Sequence, residues 1–345
     1  GVVGVVSPWN FPLYLSLRGF IYALALGNTA VLKPSEESPL VGGLMLAELF
    51  TDAGFPPGVF NVVTTSRAGA AMVGEMFVKD NRVAVMSFTG STGVGQLLST
   101  ACAQAFKPIV LELGGKNPII VLEDANLDRA VDLAFFGSFL HQGQICMSSD
   151  KILVHRSLHD AFVEKLVAKT ANFVPTSPDE QTCVIGPIIN TRQLRRIEAL
   201  VKDAAKEGAK IECGGKAQDP YYTATVLTNV TPDMVVWKEE IFGPVTTVTP
   251  FDTEEEALAL ANDTPYGLSA SIITDDVLRG EMLAERVQAG MVHVNDSTVH
   301  DEPHCPFSGL GASGGGSKWG PKGAIEAFTT QRWISTQRQA HALPF

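Results

Sequence analysis

Short runs of β-branched and other apolar residues alternate along this chain with longer stretches whose apolar positions recur at helical spacing. Before Gly114 the runs at 2–6, 29–32, 59–63, 83–88 and 109–113 read as buried strands. The stretches at 15–26 and 39–53 read as helices, and another helix follows each of the strands at 59–63 and 83–88. Strands and helices alternating at this spacing build a parallel, doubly wound sheet covered on both faces. After Gly114 the alternation restarts, with helices expected at 127–139, 158–170, 191–207, 254–262 and 276–287 and strands at 151–155, 269–274 and 291–294. The expectation is an α/β fold of two open-sheet lobes, residues 1–113 and 114–313. A final segment, 314–345, carries a helix at 324–330 and a strand-forming tail at 331–337. Loops at 175–179 and 219–222 read as polar surface connections, and the glycines crowded between Gly309 and Gly323 read as a flexible hinge.

Length agrees with two lobes, since 345 residues exceed the roughly 100 to 200 of one domain. The apolar share of 45% is ordinary for a soluble protein, and no apolar stretch approaches the ~20 residues of a membrane span. A net charge of −11 argues against a sequence-independent nucleic-acid surface, which needs clustered Lys and Arg. Five cysteines without a Cys-x-x-Cys pair fit neither a disulfide framework nor a zinc site, and point to a reducing compartment, the cytoplasm. Gly1 opens directly into a strand-like run without an initiator methionine. The chain therefore reads as cut at its N-terminus, where any targeting segment would lie.

Candidate chemistry centres on Cys146, which follows Leu140-His141-Gln142-Gly143-Gln144-Ile145, and on Glu112 in Glu112-Leu113-Gly114-Gly115-Lys116. A thiolate adds to a carbonyl carbon, and a nearby carboxylate deprotonates the water that releases the acyl group. The bland alternative for any lone cysteine is a small buried apolar group. Phe88-Thr89-Gly90-Ser91-Thr92-Gly93-Val94-Gly95 follows a strand and opens a helix, which suits a pyrophosphate or a plain strand-to-helix turn equally. In Lys33-Pro34-Ser35-Glu36 a carboxylate beyond a strand suits ribose hydroxyls, against a simple helix start capped by Ser35. Asn10, in Pro8-Trp9-Asn10-Phe11-Pro12, offers an amide donor to a developing oxyanion, or is a turn residue. Glu239-Glu240-Ile241-Phe242-Gly243-Pro244 read alone is a buried turn. His300-Asp301-Glu302-Pro303-His304-Cys305 mixes possible metal ligands. Pro303 and Pro306 break any helix that would align them, so a loop lining the substrate entrance is expected and no metal.

Taken in order, together with Pro306-Phe307-Ser308-Gly309, these motifs resemble the aldehyde dehydrogenase superfamily over nearly the whole chain. The resemblance implies a Rossmann-like cofactor lobe, an α/β catalytic lobe with a nucleophilic cysteine, and an oligomerisation strand at 331–337. It implies Cys146 as nucleophile, Glu112 as base, and Asn10 with the Cys146 backbone N–H as oxyanion donors. It further implies cofactor contacts from Trp9, Lys33, Glu36, Gly90, Ser91, Gly114, Glu240 and Phe242, the glutamate at 36 favouring NAD over NADP. Phe11, Tyr14, Ile145, Cys305 and Phe307 would line the substrate pocket. Within the superfamily the resemblance is to enzymes acting on aromatic aldehydes such as benzaldehyde, salicylaldehyde or vanillin. The expected activity is NAD-dependent oxidation of an aromatic or hydrophobic aldehyde to the acid through a thiohemiacetal and a thioester, in a homodimer or homotetramer. Three departures stand out: His141 where asparagine is usual, Ser308 in place of a glycine, and the lack of the family's N-terminal segment. The alternatives are a cofactor-independent esterase or thioesterase built on the same Cys and Glu, and a catalytically silent truncated chain acting as a binding or structural partner.

Overall fold

The computed structural model describes residues 1–315, 319–339 and 342–345. The strands β1 (Val2–Val6), β2 (Thr29–Lys33), β3 (Phe60–Val62), β4 (Val83–Thr89) and β5 (Ile109–Glu112) form one parallel sheet in the order β3-β2-β1-β4-β5. The period of two along β1 sends Val3 and Val5 into a cluster with Phe20, Ala30 and Leu32, and turns Val2 and Val6 toward Val73, Phe77 and Met86 on the other face. Both faces are thus apolar, and helices cover them: α1 (Pro12–Ala25), α2 (Met45–Asp52), α3 (Ala70–Lys79) and α4 (Thr92–Gln104). Winding reverses direction between β1 and β4, and the crevice outside the carboxyl ends at such a point is where open α/β sheets take ligands.

The rest of the chain runs β6 (Asn117–Val121), α5 (Leu127–Phe139), β7 (Ser149–His155), α6 (Arg156–Ala171), α7 (Thr191–Glu207) and β8 (Lys210–Cys213). A small hairpin, β9 (Ala217–Gln218) with β10 (Tyr221–Tyr222), leads to β11 (Thr225–Thr228), α8 (Val235–Lys238), β12 (Val245–Phe251) and α9 (Glu254–Asn262). Then come β13 (Tyr266–Gly267), β14 (Ser269–Ile273), α10 (Val277–Ala284), β15 (Met291–Val294), β16 (Leu310–Gly311) and α11 (Pro321–Phe328). Seven of these strands form the second sheet, in the order β15-β14-β6-β7-β12-β11-β8. It is parallel except at its edge, where β8 runs antiparallel to β11.

Helix boundaries match the sequence expectation where a cap fixes them. Asn126, Asn190 and Thr253 accept backbone N–H groups at the starts of α5, α7 and α9, and Gly208 at φ +113° ends α7. Four strands of the second sheet escape that expectation, β6, β8, β11 and β12, as do the short pairs β9 with β10 and β13 with β16. β6 opens on Asn117-Pro118 at a register shift and β12 closes on Pro250-Phe251, and proline breaks the usual strand signature though bulges and ends tolerate it. The 219–222 connection is not simply polar surface, since Tyr222 pairs in the hairpin and is fully enclosed.

The glycine-rich stretch is pinned where it is described, contrary to a flexible hinge. β16 pairs with β13, the Leu113 N–H donates to the Ser313 carbonyl at 3.0 Å, and Gly314 bridges Glu112. A side chain at Gly314 would lie 2.6 Å from the Leu111 carbonyl oxygen, so only glycine lets these backbones meet. Residues 331–337 form no strand in this chain; a lone strand has no partner to complete its ladder, and Trp333 is left 92% exposed.

Lys151, in the middle of β7, donates to the carbonyls of Leu260 and Asp263 at 3.2 Å and lies 4.0 Å over the Trp237 ring. Burial pulls its pKa down from 10.5 to about 8. A lysine whose folded pKa is depressed penalises folding while both states are protonated. That penalty fades as pH rises from about 8 toward 10.5, where the unfolded chain still binds the proton and the folded one does not. Stability measured by urea unfolding should therefore climb across that window, and Lys151→Met should flatten the climb. Equal slopes in the two proteins would refute the assignment.

Candidate active site

Chain segments leaving the carboxyl ends of β1, β4 and β5 wall one cleft, and the loop before β7 closes it from the second sheet. The cleft, about 370 Å³, is lined by Trp9 and Asn10 after β1, Gly90, Ser91 and Gly93 after β4, Glu112 and Gly114 at the end of β5, and Cys146. Glu239, Glu240 and Phe242 line its far side with Gln193, Arg196 and Tyr266. A second cavity of about 190 Å³ shares Asn10, Leu15 and Cys146 with the first and is otherwise lined by Phe11, Tyr14, Arg18, Leu140, Ile145, Met147, Val299, Asp301 and Phe307. Cys146 therefore stands at the junction of a polar cleft and an aromatic cavity.

Backbone constraints set the position of the thiol. The Asn117 amide donates to the carbonyls of Cys146 and Ser148 at 2.8 and 2.9 Å, and its oxygen accepts the Ser269 N–H at 3.0 Å. The approach is so close that a side chain at Gly115 would lie 2.4 Å from the Cys146 carbonyl oxygen. Upstream, His141, Gln142 and Gly143 follow one another in the left-handed region at φ 51°, 57° and 65°. Two successive non-glycine residues there, His141 and Gln142, are strained and must be held by their surroundings. A side chain at Gly143 would sit 2.1 Å from the Gly243 carbonyl oxygen, while Gln144 accepts the Ile189 N–H at 3.0 Å. His141 packs on Phe11 with ring centroids 4.8 Å apart, and burial lowers its pKa.

Asn10 is buried and donates through its amide to the Gln144 carbonyl at 3.0 Å, which keeps its second N–H for another acceptor. Glu112 is 2% exposed. One carboxylate oxygen stands 3.5 Å from the Arg18 guanidinium, and the other has no hydrogen-bond partner. Burial pushes this carboxyl above the usual range, opposed by Arg18. Burial and the facing Glu112 hold the Cys146 thiol well above its usual range as well. Glu240 accepts the Gly115 N–H at 3.1 Å, and burial pushes its pKa up to about 8. Its loop is fastened by Arg196, which donates to the carbonyls of Ile241 and Glu240 at 2.8 and 2.6 Å and holds Phe242 in a left-handed conformation, edge-on to Trp9 at 5.4 Å.

The first turn of α4 has no side-chain cap, and Ser91 precedes it in extended conformation. Its free N–H groups line the cleft, and Gly93 has open space where a side chain would be. Such a helix start suits a pyrophosphate. Lys33 and Glu36 are paired at 3.4 Å beyond the end of β2, outside the residues lining the cleft around Cys146.

The expected residues are therefore gathered except at the edges. Cys146, Glu112, Asn10, Trp9, Gly90, Ser91, Gly114, Glu240 and Phe242 share one cleft, and Phe11, Tyr14, Ile145 and Phe307 share the aromatic cavity. Cys305 does not belong to the cavity wall: it is exposed, on a turn in which its N–H donates to the Glu302 carbonyl. Its expected place is taken by Val299 and Asp301, the latter accepting the Tyr14 hydroxyl at 2.9 Å. Among the described residues no three potential ligands converge on a metal site. Arg18, Asn117 and Arg196 were not anticipated, and Asp301 was anticipated only as part of the loop expected at the substrate entrance. Only Arg18 carried a signal, as the lone charge in the apolar run Leu13-Tyr14-Leu15-Ser16-Leu17-Arg18-Gly19-Phe20. Iodoacetamide labelling of Cys146, followed by peptide mass spectrometry, should be slow at neutral pH and rise steeply with pH. Glu112→Gln should move the rise to lower pH by removing the facing negative charge, and an unchanged profile would uncouple the two groups.

The family model described as aldehyde dehydrogenase family matches residues 1–334. The chain is 47% identical over 345 residues to a benzaldehyde dehydrogenase [NAD(+)] of Pseudomonas putida, covering 100% of this chain and 70% of that protein. It is 44% identical over 346 residues to a vanillin dehydrogenase of Amycolatopsis, with the same coverage. Among solved structures, a salicylaldehyde dehydrogenase from Pseudomonas putida G7 complexed with salicylaldehyde superposes with a TM-score of 0.97 at 38% identity, covering 100% of this chain and 71% of that one.

Proposed function

The chain belongs to the aldehyde dehydrogenase family, and on that premise we propose that it oxidises an aromatic aldehyde to the carboxylic acid with NAD. The observation that carries this reading is the placement of the Cys146 thiol between a cleft with an uncapped helix start and an apolar cavity walled by Phe11, Tyr14 and Phe307. An aromatic ring fits the second, and a dinucleotide fits the first. The relatives named for benzaldehyde, vanillin and salicylaldehyde support the same substrate class.

Cys146 Sγ, as thiolate, bonds to the aldehyde carbon, and the oxyanion takes hydrogen bonds from the Asn10 amide and the Cys146 backbone N–H. Bound NAD supplies the acceptor for the hydride that leaves this carbon, so Cys146 is left holding a thioester. Glu112 then takes a proton from water as the water oxygen bonds to the carbonyl carbon, and Cys146 leaves as thiolate. Gly90, Ser91 and the start of α4 would hold the pyrophosphate, Glu240, Phe242, Gly114 and Trp9 the nicotinamide end, and Lys33 with Glu36 the adenosine ribose. We assign cofactor binding to residues 1–113 and the nucleophile to 114–313. The exposed 331–337 tail, with Trp333 and Ile334, is read as the segment that pairs with another subunit. The five free thiols suit a cytoplasmic setting.

The test is NADH formation from NAD and benzaldehyde, followed by absorbance. Cys146→Ala should abolish it while still binding NAD. Glu112→Gln should keep a first burst of NADH and slow the steady rate by about 10²- to 10⁴-fold, as loss of a general base does. Ester hydrolysis that needs no NAD, with no NADH formed, would instead favour the esterase reading. Because Glu112 must be ionised and burial raises its pKa, the steady rate should also increase with pH at values above the usual carboxylate range. A rate flat in pH would remove Glu112 from the rate-limiting step. Glu36→Gln should raise the use of NADP relative to NAD, since the carboxylate would repel a 2′-phosphate, and an unchanged cofactor ratio would place Glu36 away from the ribose.

A further inference from the structure

We propose that Arg18 is the positioning residue of acyl release: its buried guanidinium, set beside Glu112 within the site, favours the carboxylate form that acts on the group carried by Cys146. The inference rests on the roles given above to Cys146 and Glu112 and adds the element that lets a carboxylate work in that place.

Arg18 lies on α1, about two turns beyond Asn10, and is only 6% exposed. Its Nη2 stands 3.5 Å from a Glu112 oxygen, inside the cavity that also holds the thiol. The guanidinium lies 4.1 Å over the Phe307 ring and 5.0 Å over Trp319, and aromatic faces replace part of the hydration lost on burial. Its Nε and Nη2 have no hydrogen-bond partner, so these donors are not consumed in bracing the helix. An arginine does not escape burial by losing its proton, as a lysine does.

The other groups facing Glu112 make this cation matter. Cys146 on the loop before β7, Asp301 beyond β15 and Glu240 before β12 are neutral or acidic, and Arg18 alone among them is basic. Arg196 lines the polar cleft, but its guanidinium is engaged by the carbonyls of Glu240 and Ile241. Without Arg18, burial and the neighbouring acids would push the Glu112 carboxyl further above its usual range, toward the protonated form. A protonated carboxyl cannot take the proton from the water whose oxygen attacks the thioester carbon as the C–S bond breaks. Arg18 also opposes the rise in the thiol's pKa.

The experiment compares the unaltered chain with Arg18→Met and Arg18→Lys in two arms. One is the pH profile of NADH burst and steady rate with benzaldehyde; the other is the pH profile of iodoacetamide labelling of Cys146 without cofactor. In Arg18→Met the burst should persist while the inflection of the steady rate moves up by about 1 to 3 pH units, the effect of a neighbouring Arg on a carboxyl. The steady rate at neutral pH should then fall about tenfold or more. The labelling profile should move up as well, and Arg18→Lys should recover part of both shifts. A purely structural role would lower activity without moving either profile, and unmoved profiles in a folded Arg18→Met protein overturn the proposal. If Arg18→Met loses its thermal transition, Arg18→Gln is read by the same criteria. No NADH from the unaltered chain would refute the dehydrogenase reading alone, and the labelling arm would then decide for or against the charge of Arg18.

Discussion

The proposed reaction places negative charge twice at one buried point, first on the Cys146 sulfur and later on the Glu112 carboxylate, and burial makes both forms costly. Much of the surrounding structure answers that constraint. The Asn10 amide keeps one N–H free at the cleft, the uncapped start of α4 gives the cleft a positive end, and Arg18 sits beside the carboxylate. The two acids also repel each other, so an arrangement that stabilised both at once without a cation would fail. The same low dielectric that raises these pKa values makes each donor and each charge count for more than it would in water.

Placing the thiol at that point is a problem of backbone rather than of charge. The carboxyl ends of the first sheet supply Asn10, Gly90 and Glu112, while the cysteine arrives from the second sheet on the loop that enters β7. Asn117 ties that loop to β6 and β14, and the strained run at 141–142 is held because Gly143 abuts the Gly243 carbonyl. A buried pair, Lys116 with Asp150 at 2.9 Å, joins the segment after Glu112 to the start of β7, and Asp150 also accepts the Ile241 N–H next to Glu240. The Glu112 segment, the Cys146 loop and the Glu240 loop are thereby fixed to one another, which suits chemistry that tolerates little displacement. Ile145 and Met147, on either side of the cysteine, pack into the cluster that holds Val3, Val5 and Phe307, so the core of the first sheet also supports the thiol.

The sequence by itself determined the alternation of strands and helices, and with it two α/β sheets. It also determined helix ends at some capping residues, as at Asn126, Asn190 and Thr253. These are local signals, carried by side chains acting on their own backbone. Motif order singled out Cys146, Glu112, Asn10, Gly90, Ser91 and Glu240, which the fold brings into one cleft. Strands carrying proline, such as β6 and β12, were passed over because the same residue marks a turn elsewhere. Tertiary structure alone decided the rest. Whether the glycines at 309–315 bend freely depended on the backbones they meet, at Leu111, Glu112 and Pro265. Cys305 fell outside the cavity and Asp301 inside it through the path of one loop. Arg18 became the partner of Glu112 across 94 positions of sequence, as 112 minus 18 gives, and no local pattern encodes a contact made by two separate elements folding against each other.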